Sequence, residues 1–552
     1  MMRIALLQQN FLVGDIAGNA AKIREGYRRA LSRGADLVVS TELSLLGYPP
    51  RDLLERRDVI AAQRKALEAL AREVSGIPLV VGFAESNREP RGAPLFNAAA
   101  LLRDGQVAEV RRKALLPTYD VFDEHRYFES WSAPQEPIMV AGKRIAILIC
   151  EDIWNGIEDP DGRRRYQEDP VEMLGEQGRV DALVVLNGSP YFWGKGDMRF
   201  SLVSAMARKL HAPVFYANQA GGNDELIFDG RSFAVNAKGE CIGAAGAFQE
   251  DLLAVDSENA KPQTWTRDTG ELGDLKKGLV LGLYDYLEKV AAFPGGAVLG
   301  LSGGIDSSLV ACVAAEALGP DRVLGIAMPS PHSSQESVED AEALARNLGI
   351  GFRIVPIAKA FRAYRDILEP VIGWQDPYTV TEENLQARIR GMILMAIANR
   401  EKRIVLGTGN KSELAVGYAT LYGDMAAGLG VISDLPKMEV YALSRFLNRD
   451  RQRIPERVLA KAPSAELRPG QQDTDSLPPY ENLDPLLHAY IEEWKGPEEL
   501  ISEGFDAGLV ERVLAMVDRA EFKRRQAAPG LKVTTKAFGS GRRLPIAAKL
   551  RF

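Results

Sequence analysis

The stretch Ser302-Gly303-Gly304-Ile305-Asp306-Ser307 has the plainest chemical meaning in this chain. The apolar run Ala297-Val298-Leu299-Gly300-Leu301 leads into it, and the helix-compatible run Ser308 to Leu318 follows at once. Strand, glycine turn and helix start together hold anions. The first helical turn leaves backbone N–H groups unpaired, and its dipole favours negative charge. Gly303 and Gly304 let the backbone turn tightly and come close to a phosphate. Ser302, Ser307 and Ser308 add hydroxyl donors, so Gly300, Leu301, Ser302, Gly303, Gly304, Ile305, Asp306 and Ser307 are read as a nucleotide phosphate loop. Asp306 would repel a phosphate unless a cation lay between them, which predicts Mg²⁺. This is not a Walker A loop, since the G-x-x-x-x-G-K-[ST] spacing and its lysine are missing.

Three more polar residues stand where apolar runs stop. Glu42 follows Leu37-Val38-Val39, Lys113 lies in Arg111-Arg112-Lys113-Ala114-Leu115-Leu116-Pro117, and Cys150 ends Ile145-Ala146-Ile147-Leu148-Ile149-Cys150. Strand ends and their loops are where scaffolds present catalytic groups. Taken singly, each has an ordinary reading: a buried small hydrophobe for the cysteine, solvated surface for the glutamate and lysine.

The elements that must position these residues read as alternating strands and helices. In the first half, strands are predicted at Arg3 to Gln8, Leu37 to Val39, Leu79 to Phe83, Asn97 to Leu102, Ile145 to Cys150, Ala182 to Leu186 and Val214 to Ala217. Helices are predicted at Asn19 to Arg33, Ile60 to Val74 and Phe200 to His211. That mixture implies a layered α/β domain over residues 1–262. Residues 263–274, polar with Pro and Gly nearby, are read as a linker. In residues 275–552 a helix from Leu275 to Val290 precedes the glycine loop. The strand Val323 to Met328, the helix Ser334 to Leu348, the strand 352–357, the helix Glu382 to Arg400 and the strand Arg403 to Gly407 follow. This alternation predicts a doubly wound parallel sheet with ligands at the strands' carboxyl ends.

Composition narrows the class. The chain has 552 residues, 46% of them hydrophobic and 26% charged, with 68 Lys and Arg against 75 Asp and Glu, a net charge of −7. No basic block stands out, so nucleic acid is not an expected partner. Cys150, Cys241 and Cys312 are too few and too scattered for a disulfide framework, which points to a reducing, cytoplasmic setting. The start Met-Met-Arg-Ile-Ala-Leu-Leu-Gln lacks a signal-peptide pattern, and no apolar run approaches 18 residues, so no membrane span is expected. His125, His211, His332 and His488 have no metal-ligand spacing, which argues against a zinc enzyme.

The first half resembles the nitrilase (carbon–nitrogen hydrolase) superfamily in its glutamine-hydrolysing branch. The matching stretches are Thr41-Glu42-Leu43 with Gly47-Tyr48-Pro49-Pro50-Arg51-Asp52-Leu53-Leu54, Lys113-Ala114-Leu115-Leu116-Pro117-Thr118-Tyr119, and Ile149-Cys150-Glu151-Asp152-Ile153-Trp154. The resemblance implies an αββα sandwich and a Glu42–Lys113–Cys150 triad. Thiolate chemistry suits it without histidine: Glu42 takes the thiol proton, Cys150 attacks, and Lys113 stabilises the oxyanion. Glu124 is a candidate second glutamate. By the same resemblance Tyr119, Ser189 and Lys195 bind glutamine, with Lys195 pairing its α-carboxylate.

The pattern S-G-G-x-D-S resembles the loop of the ATP pyrophosphatases, and the second half is similar to the NAD synthetase family. That likeness rests on Ser302 to Ser308, Glu383-Asn384-Leu385-Gln386-Ala387-Arg388-Ile389-Arg390-Gly391, and Gly407-Thr408-Gly409-Asn410-Lys411-Ser412-Glu413. Tyr422-Gly423-Asp424-Met425, Asp434-Leu435-Pro436-Lys437 and the tail Lys532-Val533-Thr534-Thr535-Lys536-Ala537-Phe538 continue it. It implies that Thr408 contacts ATP, that Asn384, Glu413 and Lys536 contact deamido-NAD, and that Glu413 alternatively joins Asp306 on Mg²⁺. The implied reaction is ATP-dependent amidation of deamido-NAD⁺ with ammonia from L-glutamine. It runs through an acyl adenylate and releases AMP, PPi and L-glutamate. Other glutamine-fed, AMP-forming ligases share the loop but not the stretches 383–391 and 407–413, and intact Glu42, Lys113 and Cys150 count against a mere binding scaffold. Leu459 to Tyr480, polar and proline-rich, is expected to order as a lid over the adenylate. A homo-oligomer is expected, because domains that exchange ammonia often need subunit packing to shelter it.

Overall fold

The computed structural model describes residues 2–156, 163–265, 270–375, 378–464, 466–468 and 470–549. The chain divides into two units, Met1–Asp274 and Leu275–Phe552.

The first unit carries strands β1 (Arg3–Gln8), β2 (Leu37–Val39), β3 (Leu79–Ser86), β4 (Leu95–Arg103), β5 (Gln106–Arg112), β6 (Ile138–Val140) and β7 (Lys143–Ile149). It continues with β8 (Ala182–Asn187), β9 (Val214–Asn218), β10 (Ala220–Asn223), β11 (Leu226–Asp229), β12 (Phe233–Val235), β13 (Cys241–Ala244) and β14 (Asp251–Asp256). Two six-stranded sheets form, in the orders β14-β1-β2-β3-β4-β5 and β6-β7-β8-β9-β12-β13, and β10 with β11 makes a hairpin. Both sheets repeat one pairing pattern: antiparallel, parallel, parallel, antiparallel, antiparallel.

The strands read as unbroken apolar runs because both of their faces are buried. Along β1, Ile4 and Leu6 enter the core between the sheets, while Ala5 and Leu7 enter the core beneath the helices Ile16–Ser32 and Arg57–Glu73. Along β7, Ile145, Ile147 and Ile149 face inward, and Ala146 and Leu148 face the helices Pro170–Glu176 and Lys195–Leu210. The period of two thus builds four layers, helix, sheet, sheet, helix.

In the second unit β15 (Ala297–Gly300), β16 (Val323–Ala327), β17 (Gly351–Ile354), β18 (Ile404–Gly407) and β19 (Leu429–Gly430) form an all-parallel sheet in the order β17-β16-β15-β18-β19. The order reverses direction at β15, so the crevice at its carboxyl end, beside β18, is the switch point where ligands sit. The helix Gly270–Val290 begins five residues before the predicted Leu275, inside the segment read as linker. Polarity suggested a loop there. Yet Glu271 is an acidic first-turn residue that suits a helix start, and Asp274 pairs with Arg231 at 2.8 Å. Residues 266–269 of that linker lie outside the described residues. The helix Ala358–Ile372, unforeseen, fills the connection before Val380–Glu401. Among the described residues no helix is long and apolar enough to cross a membrane.

Candidate active site

In the first unit the strand ends converge as their sequence predicts, and sterics explain the local shape. Gly82 on β3 lets the Glu42 segment press against the sheet: a Cβ there would stand 2.2 Å from the Thr41 carbonyl oxygen. Cys150 follows β7 with φ +45°, a left-handed conformation unfavourable for a side chain with a Cβ, and opens the short 3₁₀ turn Cys150–Ile153. Asp152 holds that corner. One of its oxygens accepts from Ile149 N–H at 2.9 Å, and the other accepts from Ala114 and Leu115 N–H, both at 2.9 Å. The Cys150 turn and the segment after Lys113 are therefore tied through one carboxylate.

The predicted triad meets in a buried cluster. Glu42 and Lys113 are fully buried, and Cys150 and Glu124 are each 5% exposed. Lys113 Nζ donates to Glu42 Oε1 at 2.7 Å and to the two Glu124 oxygens at 2.9 and 2.8 Å. Glu42 Oε2 accepts from Gly188 N–H at 2.8 Å. Tyr48 Oη donates to Glu124 Oε1 at 2.9 Å. One ammonium shared by two buried carboxylates leaves an excess of negative charge. Burial, with Glu42 nearby, pushes Glu124 up to about 7 against the pull of Lys113. Burial and the Glu42 charge likewise push the Cys150 thiol well up, and Lys113 offsets only part of this. These surroundings favour the thiol form of Cys150 over the thiolate.

Of the three residues expected to hold glutamine, Tyr119 bonds to this corner through Glu151, and Ser189 and Lys195 follow β8. Tyr119 Oη donates to both oxygens of Glu151, each at 3.0 Å, and Tyr166 Oη donates to Glu151 Oε1 at 2.9 Å. Ser189 follows Gly188 and is held by Arg199, whose Nε donates to Ser189 Oγ at 3.2 Å. Lys195 opens its helix with Nζ 5.0 Å from the Phe192 ring centre and 5.9 Å from that of Trp154. Sequence reasoning gave no role to Glu151, Tyr48 or Asn97. For Asn97 a signal was present: a lone polar residue opening an otherwise apolar strand.

In the second unit the loop after β15 borders a cavity of about 300 Å³. Gly300, Leu301, Ser302, Gly304, Ile305, Asp306, Ser307, Thr408 and Glu413 all line it. Gly303 turns the chain from behind with φ +75°, and a Cβ on it would stand 2.3 Å from the Ser337 carbonyl oxygen. Ser307 Oγ, 3.1 Å from Ser302 Oγ, donates to the Gly304 carbonyl at 3.1 Å, and Gly304 N–H donates to Ser302 Oγ at 3.2 Å. Asp306 Oδ1 accepts from Asn410 Nδ2 at 2.9 Å, and Oδ2 accepts from Lys437 Nζ. Lys437 Nζ also stands 3.6 Å from Glu413 Oε1. Burial and the neighbouring Asp306 push Glu413 up to about 8.

Besides Gly303, two predicted residues fall outside the cavity wall. Asn384, on its helix, accepts from Thr420 Oγ1 at 2.7 Å, and Lys536 Nζ lies 5.8 Å from the Trp494 ring centre. Lys437, which sequence reasoning quoted without a role, is drawn in by a contact 131 positions away in the chain. Lys461 to Ser464, Glu466, Leu467 and Asp473 of the expected lid also line the cavity. Glu466 Oε1 accepts from Ser337 Oγ at 2.7 Å and from Lys461 Nζ at 2.6 Å. Ala465 and Pro469 lie outside the described residues.

Comparison with known proteins agrees with both halves. The carbon–nitrogen hydrolase family matches residues 3–267, and the NAD synthase family matches residues 276–527. A glutamine-dependent NAD(+) synthetase of Synechocystis sp. is 48% identical over 557 residues, covering 99% of each chain. One from Thermotoga maritima is 42% identical, covering 100% of this chain and 99% of its own. The solved structure of the Acinetobacter baumannii glutamine-dependent NAD+ synthetase, in complex with ADP, is 40% identical over 99% of this chain and 98% of that one, with a TM-score of 0.77. Sequence shared at this level from end to end, on a fold that superposes along the whole length, places the chain in the family of glutamine-dependent NAD(+) synthetases.

Proposed function

We propose that this chain converts deamido-NAD⁺ to NAD⁺ at the expense of ATP, drawing its ammonia from L-glutamine. The observation that carries the reading is the presence, in one chain, of a thiol corner beside a lysine-bridged carboxylate pair and of a phosphate loop lining a nucleotide-sized cavity.

At the first site Glu42 accepts the Cys150 proton as sulfur attacks the glutamine amide carbon. The oxyanion that forms is stabilised by Lys113. Glu42 returns the proton to the departing ammonia and then activates the water that cleaves the thioester, releasing glutamate. Tyr119, Ser189 and Lys195 are assigned to glutamine, the cationic Lys195 to its α-carboxylate.

At the second site Gly300 to Ser307 and Thr408 are assigned to ATP. Asn384, Glu413 and Lys536 are assigned to deamido-NAD⁺. The nicotinate carboxylate attacks the α-phosphate and expels pyrophosphate, while loop N–H groups and Lys437 steady the charge that develops. Ammonia then attacks the acyl adenylate as the free base and releases AMP. Asp306 and Glu413 suit Mg²⁺: two partly exposed carboxylates, one pushed up by burial and by the other, border the cavity beside the loop that would bring phosphate oxygens, and Mg²⁺ binds through one or two carboxylates plus substrate phosphates. When bound there, the ion would neutralise phosphate charge.

We further propose a homo-oligomer: Ile367, Val371 and Ile372 on Ala358–Ile372, and Met392 and Met395 on Val380–Glu401, are exposed apolar side chains on two neighbouring helices. Analytical ultracentrifugation checks it. The cytoplasm suits three free, buried cysteines. The decisive assay supplies glutamine, ATP, Mg²⁺ and deamido-NAD⁺ and measures NAD⁺, AMP and glutamate. Formation of all three supports the reading, and NAD⁺ absent while glutamate accumulates refutes it.

A further inference from the structure

Asn97 lies third in the buried run of β4 and is 1% exposed. Three separate bonds connect it to the Cys150 site. Its side-chain Nδ2 donates to Glu42 Oε1 at 2.8 Å and to Glu124 Oε2 at 3.3 Å. Its backbone carbonyl accepts from Lys113 N–H at 2.8 Å. The orientation of the amide is fixed by chemistry, because ionised carboxylates accept only and the NH₂ end must face them. The opposite end has no compensation: Asn97 Oδ1 is buried without a hydrogen-bond partner. An orphaned buried carbonyl costs free energy that an apolar side chain at this position would avoid. The amide is thus held in the core by what its two hydrogens do.

Resting on the glutaminase reading above, we propose that Asn97 is a positioning residue of that site: its amide clamps Glu42 and Glu124 at a fixed separation and so holds the Glu42 carboxylate in place to receive the thiol proton. The groups that act on Glu42 electrostatically are Lys113, Glu124, Tyr48 and Cys150, with Glu151 beyond the thiol. Lys113 and Tyr48 donate three bonds to Glu124 but one to Glu42. Asn97, whose shorter bond goes to Glu42, and Gly188 N–H, which donates to Glu42 alone, supply the remaining anchors of the Glu42 carboxylate.

The test uses Asn97→Leu, which fills the space without donors, and Asn97→Ser, which keeps one donor. Glutamine hydrolysis is followed against pH in the full chain. Alkylation of Cys150 by iodoacetamide gives a second profile that needs no turnover. Asn97→Leu is expected to lower kcat for glutamine roughly 10–100-fold with KM changed less than about 3-fold. Alkylation of Cys150 should slow by a similar factor, since Glu42 is no longer held in place to receive the thiol proton. Asn97→Ser should recover part of both effects, and ammonia-driven NAD⁺ formation should be unchanged. The proposal fails if alkylation of Cys150 keeps its rate while activity and melting temperature fall together, because Asn97 is then packing alone. It fails equally if Ser behaves as Leu, or if ammonia-driven synthesis falls in step. Failure of the glutaminase reading itself looks different: the unsubstituted chain would hydrolyse no glutamine.

Discussion

The two sites of this chain enclose charge to different degrees. In the first unit Glu42 and Lys113 expose no surface, and two carboxylates, a lysine, a tyrosine and an asparagine bond to one another. In the second unit the loop borders a cavity of about 300 Å³, lined by serines, by charged side chains that include Asp306, Arg390, Glu413 and Lys437, and by a segment around Lys461 to Asp473. The proposed substrates would account for the difference. An amide brings no charge to the reacting atoms, so on the proposed reading base and oxyanion partner stand already in place. ATP brings its own charges, so on the same reading the second site offers room, N–H donors and carboxylates for a cation.

Breaking one site while sparing the other is the strongest test of this contrast. Cys150→Ala should abolish glutamine-driven NAD⁺ formation, roughly 10³-fold or more, and leave ammonia-driven formation intact; paired assays with each nitrogen source decide it. Loss of both would tie the thiol to the fold rather than to the chemistry. Asp306→Asn should do the reverse, lowering NAD⁺ formation from either source about 10²-fold and sparing glutamine hydrolysis. It should also weaken the response to added Mg²⁺, read from a magnesium titration.

A preassembled charge cluster is costly to halve. Lys113→Met leaves two buried carboxylates without a counter-ion and should destabilise the first unit by about 3–5 kcal/mol. The unfolding transition of that unit should move down while the second unit's transition stays put, which calorimetry resolves.

Both sites hold a carboxyl raised by burial, to about 7 at Glu124 and about 8 at Glu413. A raised carboxyl keeps a proton that the unfolded chain releases, so folding is favoured at low pH and weakened as pH rises through the raised value. Thermal stability should therefore fall as pH rises from the usual carboxylate value near ~4.3. Glu124→Gln should flatten the part of the loss that ends near 7, and Glu413→Gln the part that ends near 8. Saturating Mg²⁺ and ATP should flatten only the second part, because ligand binding offsets the Glu413 penalty.

The smallest effect concerns the lid. Limited proteolysis around Lys461 to Asp473 should slow several-fold when ATP and deamido-NAD⁺ are present together. Equal cleavage would mean the cavity wall is already in its working state.

How much of this was legible in advance depended on sequence distance. The strands Arg3 to Gln8 and Ile145 to Ile149 showed themselves as apolar runs, and the glycine turn at Gly303 showed its backbone requirement, because these are local properties of dihedral and burial. The helix start at Gly270 was missed because local polarity there looked like a loop, while its Asp274 is paired with Arg231, 43 positions away.

The amino-acid order alone settled which residues are available for chemistry: a thiol, a glutamate and a lysine at strand ends, and a phosphate loop before a helix. It could not settle which charges share a site. That Glu124 draws on the same ammonium as Glu42, that Asn97 touches both, and that Lys437 sits against Asp306 and Glu413 depend on contacts between segments far apart in the chain. Only folding excludes the water that would otherwise screen such charges, so their pairing and their proton affinities are tertiary properties.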